Sequence, residues 1–238
     1  MRTLFLSDLH LEDKAPERTG WLSTVLAGPA RKADAVYILG DLFEYWIGDD
    51  AVSATARQVA QDTAALGEAG VPCYFMHGNR DFLLGEGYAA QAGMQLLPEH
   101  HVADLYGTPT LLLHGDTLCT DDVEYQAFRQ QTRNPAWQQA VLAMSIEERI
   151  QLAEGARDAS MKHTGSAAME IMDVNQQAVL DAFNEHGVSR MIHGHTHRPA
   201  HHHVDAAGLH AERIVLAAWY SAGSYLEVTP ESVESRKI

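Results

Sequence analysis

Short apolar runs rich in β-branched and large aliphatic residues recur along the chain, and each breaks off at a small polar cluster. The run at 3–6 stops at Ser7-Asp8, 35–39 at Gly40-Asp41 and 72–76 at His77-Gly78-Asn79. The run at 110–113 stops at His114-Gly115-Asp116, and Met191-Ile192 stops at His193-Gly194-His195. Unbroken apolar runs of this length predict strands buried on both faces. Helical patterns at 54–69 and 85–92 separate several of them. That alternation predicts an α/β fold, a sheet covered by helices. In such sheets ligands bind beyond the strand ends. The polar clusters all lie there, so residues far apart in the chain are expected to converge on one site.

Residues 121–186 break the pattern. They hold no strand-like run, and apolar residues recur at helical spacing: Tyr125 with Phe128, Trp137 with Val141 and Met144, Ile146 with Ile150. Asn134-Pro135 predicts a helix start, with Pro at the first helical position. The segment is therefore expected to be a helical cap, 121–186, inserted into a core made of 1–120 and 187–238. Strand character returns at 200–204, 212–217 and 221–228, and these runs are expected to complete a second sheet. The apolar stripes of the cap are read as helix packing.

Composition narrows the partners. With 238 residues, 46% hydrophobic and 21% charged, the chain has ordinary globular make-up. No run approaches the ~20 apolar residues that span a bilayer, and the apolar N-terminal run is too short for a signal peptide. Cys73 and Cys119 lack metal-knuckle spacing and fit a reducing cytoplasm. A net charge of −15 disfavours nucleic acid as a partner. It leaves phosphate substrates open, because bound cations reverse the local field. Fourteen histidines direct attention to metal ligands. His100-His101 and His201-His202-His203 sit in strand-like contexts and read as ordinary surface residues.

Five clusters carry the chemistry: Asp8-Leu9-His10, Gly40-Asp41, Gly78-Asn79-Arg80-Asp81, His114-Gly115-Asp116 and Gly194-His195-Thr196-His197. Asp-x-His and His-x-His place two donors on one side of an extended segment. Carboxylates, an amide oxygen and imidazoles suit divalent ions such as Mn²⁺, Fe²⁺, Zn²⁺ or Mg²⁺. The absence of thiolates argues against a structural zinc site. Taken singly each cluster is weak; five in this order, each after a strand, form a specific signal.

In order and content these motifs resemble the calcineurin-like metallophosphoesterases. The resemblance implies a β-sandwich flanked by helices, four layers in all, with two divalent ions about 3.5 Å apart. It implies that Asp8, His10, Asp41 and His197 hold one ion, and that Asp41, Asn79, His114 and His195 hold the other, with Asp41 bridging. A hydroxide between the ions is the expected nucleophile, with Asp41, Asn79, Arg80, His114 and His195 as the catalytic set.

Arg80 stands where most members of that superfamily carry a histidine that protonates the leaving group. Arginine is always charged, cannot serve as the acid and holds phosphate oxygens in a planar fork. A leaving group that is itself a phosphate departs without a proton, so Arg80 points to a phosphoanhydride substrate.

The stretches 7–11, 40–50, 76–82, 171–175 and 192–199 resemble more closely the UDP-2,3-diacylglucosamine diphosphatases of lipid A synthesis. That resemblance implies Mn²⁺ as the ion and a UDP-diacylglucosamine substrate. Asn79, Arg80, Asp122, Ser160, Thr164 and His195 are implied as substrate contacts. It also implies peripheral contact with the cytoplasmic face of the inner membrane, and a monomer is expected. Ala167 stands where the family has a lysine in the cap, and Lys162 is the candidate to replace its charge.

Overall fold

The computed structural model describes residues 1–166, 173–206 and 208–238, with the backbone alone for 160–166, 206 and 209. Strands β1 (Thr3–Leu6), β2 (Ala35–Leu39), β3 (Cys73–Met76) and β4 (Met94–Leu96) run parallel in register. The first three are the apolar runs expected from the sequence, and nearly every side chain in them is buried. Connections pass through α1 (Pro16–Ala27), α2 (Ala54–Glu68) and α3 (Glu86–Gln91). Leu4, Leu6, Val36 and Ile38 face these helices, joining Leu22, Val59 and Leu66 in one apolar cluster. Phe5, Tyr37 and Leu39, at alternate positions, face the other way.

The second sheet has the order β5-β6-β7-β9-β8, from β5 (His100–Leu105), β6 (Thr108–Leu113), β7 (Arg190–His193), β8 (Ala200–Ala206) and β9 (Leu209–Val215). It packs on the first: Leu112, Ile192 and Ile214, aligned in register across β6, β7 and β9, share a cluster with Phe5, Tyr37 and Met76. The expected β-sandwich with flanking helices is the observed architecture.

Two details differ from the sequence reading. The C-terminal strands do not all complete the second sheet. β10 (Ser224–Val228) pairs antiparallel with β1, and β11 (Val233–Lys237) pairs with β10, so both extend the first sheet. An apolar run states that it will be buried, not which edge it will join; here Leu226 and Val228 fill the space beside Phe5. β5 was invisible to the apolar-run criterion because its outward positions are polar or exposed.

Residues 121–186 form α4 (Val123–Thr132), α5 (Pro135–Leu142), α6 (Ile146–Ser166) and α7 (Gln176–His186) among the described residues. Asn134 caps α5 by accepting from the backbone N–H groups of Ala136 and Trp137, with Pro135 in the first turn. α7 differs from its neighbours in what it touches: Val179, Ala182 and Phe183 join the cluster beneath the second sheet. No helix among the described residues is long and apolar enough to cross a membrane.

Candidate metal centre

The segments leaving β1, β2, β3, β6 and β7 bring Asp8, His10, Asp41, Asn79, His114, His195 and His197 together at one end of the sandwich. His197 Nε2 lies 3.2 Å from Asp8 Oδ1 and 3.4 Å from His10 Nε2. On the other side, Asn79 Oδ1 lies 3.0 Å from His114 Nε2 and 2.9 Å from His195 Nδ1. Asp41 stands between, with Oδ2 3.9 Å from His10 Nε2 and Oδ1 3.7 Å from His114 Nε2.

These side chains do not converge because their segments are extended, as the i and i+2 spacing implied. Asp8, His10, Asp41, His195 and His197 all have left-handed backbone, with φ of 56°, 49°, 51°, 65° and 54°. That conformation costs a side-chain-bearing residue roughly 1–2 kcal/mol. It persists because the loops are laced together: His10 N donates to Asp41 O, Leu11 N to Leu42 O, Trp219 N to Asp8 O and Gly194 N to His114 O. Strain gathered on the residues of a site is typical of functional loops.

Close approach of backbone completes the cradle. A Cβ on Gly78 would overlap the Asp41 carboxylate and amide, and one on Gly194 would overlap Ser7 Oγ and Asp8 Oδ2. Asp81, buried behind the site, accepts from Leu42 N at 2.7 Å and Gly78 N at 2.8 Å, tying two of the loops together.

Electrostatics shows what the donors lack. Burial pushes the Asp8 carboxyl up, but a hydrogen bond from His197 and charge on His114, His197 and His10 hold it well below the usual carboxylate range. Burial would lower His114; the carboxylates Asp41, Asp8 and Asp116 outweigh it and push the imidazole up to about 8. His195 is pushed down to about 4, by burial first and then by His114. Without a cation, lone pairs and carboxylates face one another across 3–4 Å gaps, and only protons offset them. Ligands spaced about 3 Å apart suit a small divalent ion bonded at ~2.1 Å, and such an ion would displace those protons.

Two triads meet the geometric requirement among the described residues, Asp8 with His10 and His197, and Asp8 with Asp41 and His114. Oxygen and imidazole donors without thiolate fit hard or borderline divalent ions. His114 Nδ1 is 2.8 Å from Leu39 O, which fixes the tautomer and leaves Nε2 as the ligand atom.

The family model for calcineurin-like phosphoesterases matches residues 1–199. The chain belongs to the calcineurin-like phosphoesterase family. This phosphoesterase is a metal-dependent hydrolase. It is 52% identical over 234 residues to "UDP-2,3-diacylglucosamine hydrolase" of Klebsiella pneumoniae, covering 98% of each chain. Proteins of the same name from Escherichia fergusonii and Yersinia pseudotuberculosis are 51% and 50% identical, again over 98% of each chain. Among solved structures, an archaeal phosphodiesterase aligns over the whole chain with a TM-score of 0.51 and 13% identity. That likeness concerns the fold alone.

Beside the centre, the phosphoesterase has a cavity of about 320 Å³ between the core and α4–α6. Trp46, Phe82, Phe128, Trp137 and Leu152 line it, and Asn79 and Arg80 stand at its metal end. The stripes at Tyr125/Phe128 and Trp137/Val141 therefore face a cavity and are not simply helix packing. In the loop Leu42-Phe43-Glu44-Tyr45-Trp46-Ile47, Phe43 is core, and Trp46 is shared between core and cavity wall. Arg149, 3% exposed, holds the cap against this loop through Ile47 O at 2.6 Å and Asp50 at 2.5 and 2.7 Å.

Of the expected substrate contacts, Asn79 and Arg80 line the cavity, whereas Asp122 caps α4 by accepting from Tyr125 N. The side chains of Ser160, Lys162 and Thr164, and residue 167, lie outside the described residues. The roles of several partners of the centre had no signal in the sequence. Ser7 Oγ donates to Asp8 Oδ2, Glu44 Oε2 is 3.1 Å from His10 Nδ1, and Tyr220 OH is 2.9 Å from His197 Nδ1. Tyr125 OH donates to Asp116, which also accepts from Arg129. Asp116 stands in one of the five clusters, two residues after His114, where its spacing pointed at the site without saying what it holds.

Proposed function

We propose that this phosphoesterase hydrolyses the pyrophosphate bond of UDP-2,3-diacylglucosamine. Water attacks the α-phosphorus, and the products are UMP and 2,3-diacylglucosamine 1-phosphate, in lipid A biosynthesis. The supporting observation is the juxtaposition of an apolar cavity with a carboxylate–imidazole centre, with Arg80 where the two meet. A cavity walled by aromatic and aliphatic side chains suits acyl chains, and the named relatives act on a substrate that carries two.

Two divalent ions, with Mn²⁺ the one expected, supply water activation and neutralisation of phosphate charge when bound. Asp8, His10, Asp41 and His197 would hold one, and Asp41, Asn79, His114 and His195 the other. The chain's own residues do the rest. Arg80, whose backbone N–H is anchored on Asp41 Oδ1 at 2.9 Å, carries its guanidinium beside the centre to hold phosphate oxygens in a bidentate fork. Because the leaving group is a sugar phosphate, no acid is needed to protonate it. The cap, α4–α6, holds the acylated sugar, with Asp122, Ser160, Thr164 and Lys162 as proposed contacts. The apolar substrate brings the enzyme to the cytoplasmic face of the inner membrane as a peripheral protein.

The test is UMP release from UDP-2,3-diacylglucosamine with added Mn²⁺. Loss of turnover in Asp41→Ala and a fall of roughly 10²-fold or more in Arg80→Ala are expected. Turnover of bis(p-nitrophenyl) phosphate without turnover of the lipid nucleotide would keep the phosphoesterase and reject the substrate.

A further inference from the structure

The two halves of the centre are held in different ways. His114 is 1% exposed, and a backbone carbonyl, Leu39 O, fixes its outer nitrogen. His197 is 30% exposed, and the group facing its outer nitrogen is the hydroxyl of Tyr220, itself a surface residue that is 58% exposed.

Tyr220 touches both histidines of that half. Its ring stacks on the His10 imidazole, with centroids 5.9 Å apart and planes 10° apart, and meets the His197 ring edge-on at 5.2 Å. The Arg18 guanidinium lies 5.8 Å from the Tyr220 ring centroid, within cation–π range. The same guanidinium donates to His10 O at 2.9 Å. His10 and His197 both turn Nε2 inward, 3.4 Å apart. Tyr220 and Arg18 thus cover this half from outside and hold the left-handed backbone at His10 in place. The sequence neighbour Trp219 is fully buried, with its Nε1 bonded to Ser224 O, so Tyr220 projects from an anchored loop.

We propose that Tyr220, backed by Arg18, is a positioning residue for the ion expected at Asp8, His10, Asp41 and His197, and that this ion is the exchangeable one of the pair. The inference rests on the two-ion reading above. An imidazole that binds a metal through Nε2 carries its proton on Nδ1, and an acceptor there fixes the tautomer and the ring. For His197 that acceptor is the Tyr220 oxygen. For His114 it is a buried carbonyl that no surface fluctuation removes. The ion on the Tyr220 side therefore leaves first when free metal falls.

Mn²⁺ titration of chelator-stripped protein, with free Mn²⁺ counted by electron paramagnetic resonance, tests this. Wild type is expected to take up two ions. In Tyr220→Phe, which keeps the stack and loses the hydroxyl, one dissociation constant is expected to rise about 10–100-fold, the other to change less than twofold. Tyr220→Leu should raise the same constant further, and Arg18→Met should raise it by less. The Mn²⁺ concentration for half-maximal activity should rise by the same factor. Thermal unfolding of the metal-free Tyr220 variants should match wild type, as expected for an exposed side chain. Unchanged constants in both Tyr220 variants, or an equal rise in both constants, would overturn the proposal. Uptake of fewer than two ions by wild type would instead remove the two-ion reading, and this inference with it.

Discussion

Gly78→Ala is the sharpest probe of how the centre is assembled. The added methyl would lie 2.9 Å from the Asp41 carboxylate carbon and closer still to Asp41 Oδ1 and the Asp41 backbone nitrogen. The nitrogen is backbone, and Oδ1 is tied to the Arg80 N–H. Either the loop after β2 or the loop after β3 must shift, and Asp81 pins both from behind. Overpacking of this kind costs about 1–3 kcal/mol; the pinned backbone places this case at the upper end. A displacement of Asp41 approaching ~1 Å would cost activity on the order of 10²-fold. Gly67→Ala is the control: it lies in the last turn of α2 with nothing near its Cβ position, and alanine there is expected to be neutral or to stabilise by up to about 0.5–1 kcal/mol. Urea unfolding in chelator gives the stability of each variant, and Mn²⁺ uptake gives the integrity of the site. A Gly78→Ala protein within about 0.5 kcal/mol of wild type, with both ions bound, would refute the close-approach argument.

Other expectations follow from single contacts. Chelation should lower the unfolding temperature of the loaded enzyme, since an ion present at 100 times its dissociation constant stabilises by about 2.7 kcal/mol; an unfolding temperature indifferent to chelator would count against metal in the fold. His193 is pushed down to about 3, by burial first and then by Arg213. A histidine depressed in this way contributes stability above its unfolded pKa of about 6.5, lost as pH falls toward 3. Metal-free His193→Gln should therefore show an acid limb between pH 6 and 4 shallower by up to about 1.4 kcal/mol per pH unit; an unchanged slope would remove His193 as its source. Arg149→Leu breaks a buried guanidinium away from Asp50 and Ile47 O and should cost about 1.5–3 kcal/mol. The loss should be read as faster hydrogen exchange in α5 and α6, and unchanged exchange there would mean that the cap is held by other contacts.

The expected donors are the ones the fold gathers because each is set by local sequence. A ligand must be a particular residue type, and a strand end marks where it leaves the sheet; Asp8, Asp41, Asn79, His114 and His195 satisfy both without reference to any distant residue. The strands at 3–6 and 35–39 were legible for the same reason, since a run buried on both faces has no polar position to blur its ends. β5 was not, because a strand exposed on one face looks like ordinary mixed sequence.

The sequence alone determined the chemistry of the centre and the order in which its pieces arrive. Tertiary structure decided how those pieces are held. The left-handed backbone at five candidate ligand residues is stable only because loops from different strands bond to one another. β10 and β11 joined the first sheet because space beside Phe5 was open to them, a fact no local pattern encodes. The cavity exists only where α4–α6 meet the 44–47 loop. Glu44 reaches His10 across 34 residues, Asp81 accepts from Leu42 N across 39, and Tyr220 reaches back to His10 from the far end of the chain. Ligand identity is a property of a residue and its immediate neighbours. The partners that orient a ligand are defined by contact, and contact is settled only when the chain has packed.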